Sequence, residues 1–307
     1  MVGEVAFNRV LEFEYGVPAR LSPLVRRVIA PNPSPFTFHG TGTYIVGRGE
    51  VAIIDPGPDL DAHVAALLAA VAGETVTHIL ITHTHRDHSP AARALRQATG
   101  AATYGFGPHG GGAGGDVEEG ADRAFAPDRR LGDGAGIAGG GWTLTALHTP
   151  GHTSNHLCYA LAEERALFPG DHVMGWSTTV VSPPDGDMGA YMASLALCRE
   201  RAAAGRDRVY YPTHGAPIAD PARHVDQLLA HRRHREAQIA SCLGAGVVTV
   251  PEMVERIYAE VPRELHGAAR RSVLAHLVHM VETGRASCEG VPGVGATFAA
   301  DGPDSRP

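Results

Sequence analysis

The segment Thr82–Ser89, THTHRDHS, places His83, His85 and His88 within six residues, with Asp87 between them. On an extended backbone alternate side chains share a face, so His83 and His85 can converge on one cation while Asp87 and His88 point toward a second. Imidazole and carboxylate donors without thiolate suit Zn²⁺, or a harder divalent ion such as Mn²⁺ or Fe²⁺. A single histidine at a strand end is usually structural, and with 18 histidines in the chain some cluster by chance. H-x-H-x-D-H directly after an apolar run is much harder to obtain that way. Four donors do not complete two sites, so others must come from elsewhere. Candidates stand in loops after short apolar runs: His152 in TPGHTS, Asp171 in FPGDH and His214 in PTHG.

The surrounding elements must bring these loops together. Thr41–Asp55 reads as two strands around Gly47-Arg48-Gly49, and Asp59–Ala72 as a helix with Val64, Leu67, Leu68 and Val71 on one face. Val76–Ile81 is a strand leading into the histidine cluster, and Ser89 is expected to cap a helix starting at Pro90. Further strands are expected at Trp142–Leu147, His156–Leu161, Ala166–Phe168 and Val209–Tyr211, with a helix at Met188–Ala204. The glycine run Gly105–Gly115 lacks the pattern of a phosphate-binding loop and reads as a flexible connection.

Composition changes after Pro221. A long helix is expected over 222–243, a second from Thr249, where Thr249 and Glu252 have the spacing of a capping box, and a third over 265–283. Their apolar stripes include Val254, Ile257 and Tyr258, then Val273, Leu274, Leu277, Val278 and Val281. With a strand pair near Ala286 and Phe298 they would form a small winged-helix-like unit. The expected division is therefore 1–221 as catalytic domain, 222–300 as C-terminal domain and 301–307 as a disordered tail.

A formal net charge of -7 argues against nucleic-acid binding by global charge, and from Pro221 onward ten Arg face ten Asp plus Glu. A local path of Arg232, Arg233, Arg235, Arg270 and Arg271 is left open, although ion pairs or a solvated helix face explain each of them as well. All basic residues are Arg, in keeping with a biased Ala- and Gly-rich composition. Cys158, Cys198, Cys242 and Cys288 are too far apart in sequence for a zinc knuckle and are expected to be reduced. Glu4, Glu12 and Glu14 interrupt any signal-peptide-like run, and no apolar stretch reaches membrane-span length. A soluble cytoplasmic protein is the expectation.

THTHRDHS, TPGHTS, FPGDH and PTHG occur in the order and rough spacing of the metallo-β-lactamase superfamily, which the chain resembles. The resemblance implies an α/β fold, a four-layer αββα sandwich with two metals at one edge of its sheets. By position it makes His83, His85 and His152 ligands of the first metal and Asp87, His88 and His214 ligands of the second. Asp171 becomes the bridging carboxylate. NPSPFTFHGTGTYIVG and the tail HRRHREAQI…TVPEMVERIY…AARRSVLAHLVHMVETGR narrow the resemblance to the β-lactamase-like protein 2 group. That group carries a winged-helix-like C-terminal domain, and its best-known member cleaves single-stranded RNA. VVSPPDGDMG, between Asp171 and His214, is longer than the family pattern.

The expected reaction is attack of a metal-activated hydroxide on a phosphodiester of single-stranded RNA or on a small acyl substrate, with Asp87 ligating and orienting the nucleophile beside His83 and His85. A thioesterase or lactonase of glyoxalase II type uses the same seven ligands. β-Lactam hydrolysis is a weaker option, because β-lactamases of the superfamily place Cys or Ser where Asp171 stands. Weakest is a non-catalytic nucleic-acid-binding regulator.

Overall fold

The computed structural model describes residues 5–110 and 120–301, so part of the glycine run and nearly all of the expected tail lie outside the described residues. The first half builds a seven-stranded sheet from β1 (Ala19–Arg20), β2 (Val25–Ile29), β3 (Gly42–Arg48), β4 (Glu50–Ile54), β5 (Thr75–Leu80), β6 (Ala102–Gly105) and β7 (Arg129–Arg130), in that spatial order. The early strands pair antiparallel; β4 to β7 run parallel. Parallel neighbours need crossovers, supplied between β4 and β5 by α1 (Asp61–Ala70) and between β5 and β6 by α2 (Ala92–Thr99). The second half forms a five-stranded sheet from β8 (Gly136–Gly139), β9 (Trp142–His148), β10 (Leu157–Leu161), β11 (Ala166–Phe168) and β12 (Val209–Tyr210), with α3 (Met188–Ala203) between β11 and β12.

Strand alternation sorts the apolar residues into three layers. Tyr44, Val46, Ala52 and Ile54 point between the sheets, against Trp142, Leu144, Leu157, Tyr159 and Phe168. Their neighbours Ile45, Val51 and Ile53 point outward, where Leu67 and Leu95 of α1 and α2 cover them. Cys158, Ala160 and Leu167, on the outer face of the second sheet, are covered by Leu195 of α3 and by Val225 and Leu228 of α4 (Pro221–Gly244). The result is the expected αββα sandwich.

The far end of α4 joins a separate core. Ile239, Cys242 and Leu243 pack with Val250, Met253 and Val254 of α5 (Val250–Ile257) and Val273, Leu274 and Leu277 of α6 (His266–Glu282). The strand pair β13 (Ala286–Cys288) and β14 (Phe298–Ala300) closes this unit, and Phe298 is 1% exposed. Two expected caps fail. Ser89 Oγ donates to Asp122 Oδ2 at 2.7 Å and α2 begins later, at Ala92, because a carboxylate outcompetes backbone amides for that hydroxyl. Thr249 Oγ1 donates to Glu252 Oε2 at 2.6 Å, so the two side chains satisfy each other and not the helix backbone. Ile257, Tyr258, Val278 and Val281 are partly buried and pack against the edge of this core, so the expected stripes face it.

Candidate metal centre and active site

β5 ends at Leu80, and the chain then turns through the His83–His88 loop. Tyr159 Oη donates to Ile81 O at 2.8 Å and Leu157 N to Thr82 O at 2.7 Å, which pins the loop to the second sheet. Gly57 N donates to His88 O at 2.9 Å and ties its other end to the turn after β4. His152 follows β9, Asp171 follows β11 and His214 follows β12, so all seven expected residues arrive from strand ends at one edge of the sandwich.

They meet in three overlapping groups. His83, His85 and His152 bring ligand nitrogens within 4.8 Å of one another, as do the ligand atoms of His83, His88 and Asp171, and those of Asp87, His88 and His214. His85 Nδ1 lies 2.9 Å from His83 Nε2 and 3.1 Å from His152 Nε2. Asp87 Oδ2 lies 3.1 Å from both His88 Nε2 and His214 Nε2. Asp171 stands between: Oδ2 is 4.0 Å from His152 Nε2, while Oδ1 is 3.5 Å from His88 Nε2 and 3.4 Å from His214 Nε2.

The outward-facing atoms are held by a second ring of partners. His83 Nδ1 meets Thr82 Oγ1 at 3.0 Å, His88 Nδ1 meets Asp55 Oδ2 at 2.9 Å, His152 Nδ1 meets Val180 O at 2.7 Å and His214 Nδ1 meets Gly40 O at 3.2 Å. Each acceptor takes the Nδ1 proton and turns Nε2 inward, the arrangement of metal-binding imidazoles. Thr41 Oγ1 likewise donates to Asp87 Oδ2 at 3.1 Å. Thr82 donates to Asp55 through both N and Oγ1, at 2.8 and 2.7 Å, so Asp55 anchors the whole loop. At Gly170, with φ 52°, a Cβ would stand 2.7 Å from His156 Nε2, so the turn before Asp171 needs glycine.

Electrostatics point the same way. Burial holds His83 well below its usual range, helped by His88, His85 and His152, and pushes His85 down to about 3. Burial works against charge at His88 too, but Asp87, Asp171 and Asp55 hold it well above the usual range. Asp171 and Asp87 likewise overcome burial at His214 and raise it to about 10. Three buried carboxylates thus demand positive charge at the centre. His88 Nε2 and Asp171 Oδ1, both buried, make no hydrogen bond. Converging ring nitrogens, orphaned polar atoms and carboxylates that hold positive charge on His88 and His214 fit a centre built for divalent cations.

His85, Asp87, His152, Asp171 and His214 line a cavity of 430 Å³; His83 and His88, 1% and 0% exposed, sit behind it. Its other walls include Phe36, Met174 and Trp176 from the sandwich and Tyr258 and Leu265 from the C-terminal unit. VVSPPDGDMG forms part of the site: Val180 O holds His152, and Asp185 Oδ1 accepts from Ser154 Oγ at 2.6 Å. Of the remaining histidines, His109 meets Thr84 Oγ1 at 3.1 Å, His172 is buried behind Asp171, His231 lines the cavity and His234 is exposed. Asp55, Thr41, Thr82 and Val180 went unread in the sequence. Only Asp55, in the Asp-Pro-Gly turn after a strand, carries a local signal.

The phosphate path left open along α4 and α6 is not assembled as one surface. Arg232 is 3% exposed, with its guanidinium against Tyr191 and a hydrogen bond to Thr179 O. Arg235 covers Tyr258 at 4.4 Å, whereas Arg233 and Arg270 are exposed.

A family model of the metallo-beta-lactamase superfamily matches residues 37–214, more than half of the chain, and one of the beta-lactamase associated winged helix domain matches 249–291. The atrochrysone carboxyl ACP thioesterase of Aspergillus chevalieri is 34% identical, over 80% of this chain and 77% of its own length. The beta-lactamase-like protein 2 homolog of Caenorhabditis elegans is 32% identical, over 86% of each. Among solved structures, a metallo-beta-lactamase family protein from Thermus thermophilus superposes with a TM-score of 0.72 over 92% of this chain and all of its own, at 24% identity, which speaks to the fold. Fold, winged-helix unit and His/Asp cluster agree, and the chain belongs to the metallo-beta-lactamase superfamily of metal-dependent hydrolases.

Proposed function

We propose that the chain is a dinuclear thioesterase, hydrolysing acyl thioesters of a pantetheine-type carrier. The observation that carries this reading is the cavity: apolar and aromatic walls of Phe36, Met174, Trp176 and Tyr258 adjoin the His/Asp cluster, a lining suited to an acyl chain. Curated relatives named as atrochrysone carboxyl ACP thioesterases, which match four-fifths of the chain, support it. Single-stranded RNA is disfavoured because the arginines of α4 and α6 form no continuous basic track: Arg232 is enclosed in the cavity wall and Arg235 lies on Tyr258, whereas Arg233 and Arg270 are exposed.

In this reading His83, His85 and His152 would hold one ion and Asp87, His88 and His214 the other, with Asp171 available to both, Zn²⁺ being the first candidate and Mn²⁺ or Fe²⁺ the alternatives. Bound divalent ions lower the pKa of water toward neutrality and polarise a carbonyl oxygen. Asp87 faces the cavity as a carboxylate fixed by Thr41, His88 and His214, and so orients the water for attack on the acyl carbon. Phe36, Met174 and Trp176 exclude bulk water from the acyl side. The thiolate leaving group needs little proton assistance.

The test is a side-by-side assay of the metal-loaded protein on an acyl-pantetheine thioester, a glutathione thioester, a lactone, a cephalosporin and single-stranded RNA. Thioester turnover well above the others is expected. Turnover of RNA without thioester hydrolysis would reverse the assignment.

A further inference from the structure

Arg232 is a buried cation with no anion. Its guanidinium carbon sits 5.1 Å from the Tyr191 ring centroid, Nη2 donates to Thr179 O, and Nε is buried without a hydrogen bond. One turn along α4, Glu236 is already taken by Arg285 and by His276. Arg235 lines the same cavity, its Nη1 on Gln238 Oε1 at 2.8 Å and on Ile257 O, its Nε again buried and unpartnered. Arg9, exposed, reaches the cavity from the N-terminal segment. Among the described residues none of the three is ion-paired, and the carboxylates in the cavity wall, Asp87 and Asp171, are engaged by His88 and His214.

A desolvated guanidinium is stabilised most by an anion or by a full set of acceptors. The protein supplies Arg232 with one carbonyl and an aromatic face, and leaves its Nε unmatched. Ser177 and Ser272 line the same cavity and add hydroxyl donors, and His231 Nδ1 there is buried and unpartnered. Burial, with Arg232 and Arg235 beside it, lowers His231 to about 3, so this imidazole is neutral and competes for no counter-ion.

We propose that Arg232, Arg235 and Arg9 form an oxyanion-binding subsite beside the metal cluster, so that the substrate carries a carboxylate or phosphate in addition to the bond that is cut. On the thioesterase reading, on which the choice of substrates rests, that group is either a free carboxylate on the acyl chain or the phosphate of phosphopantetheine. Guanidinium donors favour both over neutral groups of the same size. Arg232 also reaches the metal site through its neighbours: Thr179 Oγ1 donates to Asp171 O at 2.6 Å and the adjoining Val180 O holds His152.

Two measurements on the metal-loaded protein decide the matter. Titration calorimetry with glutarate and with inorganic phosphate compares the parent with Arg9→Ala, Arg235→Gln and Arg232→Gln. At least one anion should bind the parent and lose about tenfold in affinity in Arg235→Gln and in Arg9→Ala, an exposed change that does not threaten folding. Loss for glutarate points to the acyl carboxylate, loss for phosphate to the pantetheine phosphate. Second, glutaryl- against butyryl-N-acetylcysteamine, and butyryl-phosphopantetheine against butyryl-pantetheine, give kcat/KM ratios. One ratio should favour the anionic member by about tenfold and fall toward unity in the variants. A parent that binds neither anion, or variants that bind both as well as the parent, overturns the subsite. If no thioester is turned over, the thioesterase reading fails while the calorimetry still decides the subsite.

Discussion

Replacing Asp55 should uncouple metal binding from folding, and the structure sets the size of the effect. Its carboxylate accepts from Thr82 N at 2.8 Å, Thr82 Oγ1 at 2.7 Å and His88 Nδ1 at 2.9 Å, and it is 1% exposed. Asp55→Ala strands these donors in a dry interior, and breaking a buried ionic contact of this kind costs about 3–5 kcal/mol. Alanine also strains the backbone, because Asp55 has φ 49°, a conformation that Asp and Asn tolerate. Asp55→Asn is the more informative change. It keeps an acceptor for Thr82 N and the local conformation, but one side of the amide is a donor, where both Thr82 Oγ1 and His88 Nδ1 now find an acceptor. His88 then loses the partner that keeps its proton on Nδ1, and its Nε2 is no longer a dedicated lone pair. Loss of such an outer partner costs about 10–100-fold in metal affinity. Competition with a chromogenic chelator should show this loss at the Asp87, His88, His214 group, with the His83, His85, His152 group less affected. Parent-like affinity for every ion bound by Asp55→Asn would refute the role given to the carboxylate.

Other outcomes follow from the same geometry. Asp171→Ala should leave the chain folded by circular dichroism yet abolish hydrolysis, since Asp171 spans both candidate ion positions and is no part of the apolar cores. Trp142→Ala should cost about 3–5 kcal/mol in denaturant titration, because the ring is 1% exposed at the centre of the inter-sheet core. Gly139→Ala should also destabilise, with a Cβ 2.2 Å from that ring, whereas Gly136→Ala, which meets nothing within 4 Å, should be tolerated. Burial pushes His63 down to about 4, against 6.5 when unfolded, so the unfolded chain binds the extra proton between those values. Its contribution is complete above pH 6.5, is lost as pH falls toward 4, and amounts to at most about 3 kcal/mol. Stability measured from pH 7 to 4 should therefore fall less steeply in His63→Gln than in the parent.

The readable part of the site was the part written locally. His83, His85, Asp87 and His88 share one loop because a tight turn after β5 presents them together, and their spacing alone announces a cation. His152, Asp171 and His214 were found through family motifs, since one residue after a strand has no pattern of its own. The outer ring was hidden for a physical reason: Val180 O and Gly40 O are backbone atoms and could belong to any residue type. The strand β2 was missed because Arg26 and Arg27 interrupt its apolar run. Both are held inside, Arg26 by Glu74 at 2.5 Å and Arg27 by Gly215 O at 2.8 Å, with the Nε of each buried without a hydrogen bond. β1, β6, β7 and β8, two to four residues each, are too short to carry an alternation and were also missed, whereas hairpin and helix periodicities marked β3–β5, β9–β12, α1 and α3; Ser89 and Thr249 show that a capping residue is diverted when a carboxylate is within reach. The arginines on α4 looked like a surface path, and only the fold turned Arg232 inward.

Metal reconstitution followed by thioester turnover tests the central claim most directly. Protein stripped by a chelator is titrated with Zn²⁺, and in parallel with Mn²⁺, while hydrolysis of an acyl-pantetheine thioester is recorded at each equivalent. The seven-residue cluster predicts a rate that rises to a plateau at about two ions per chain and stays at background in Asp171→Ala. A plateau at one ion, or two bound ions with no thioester hydrolysed, would contradict it.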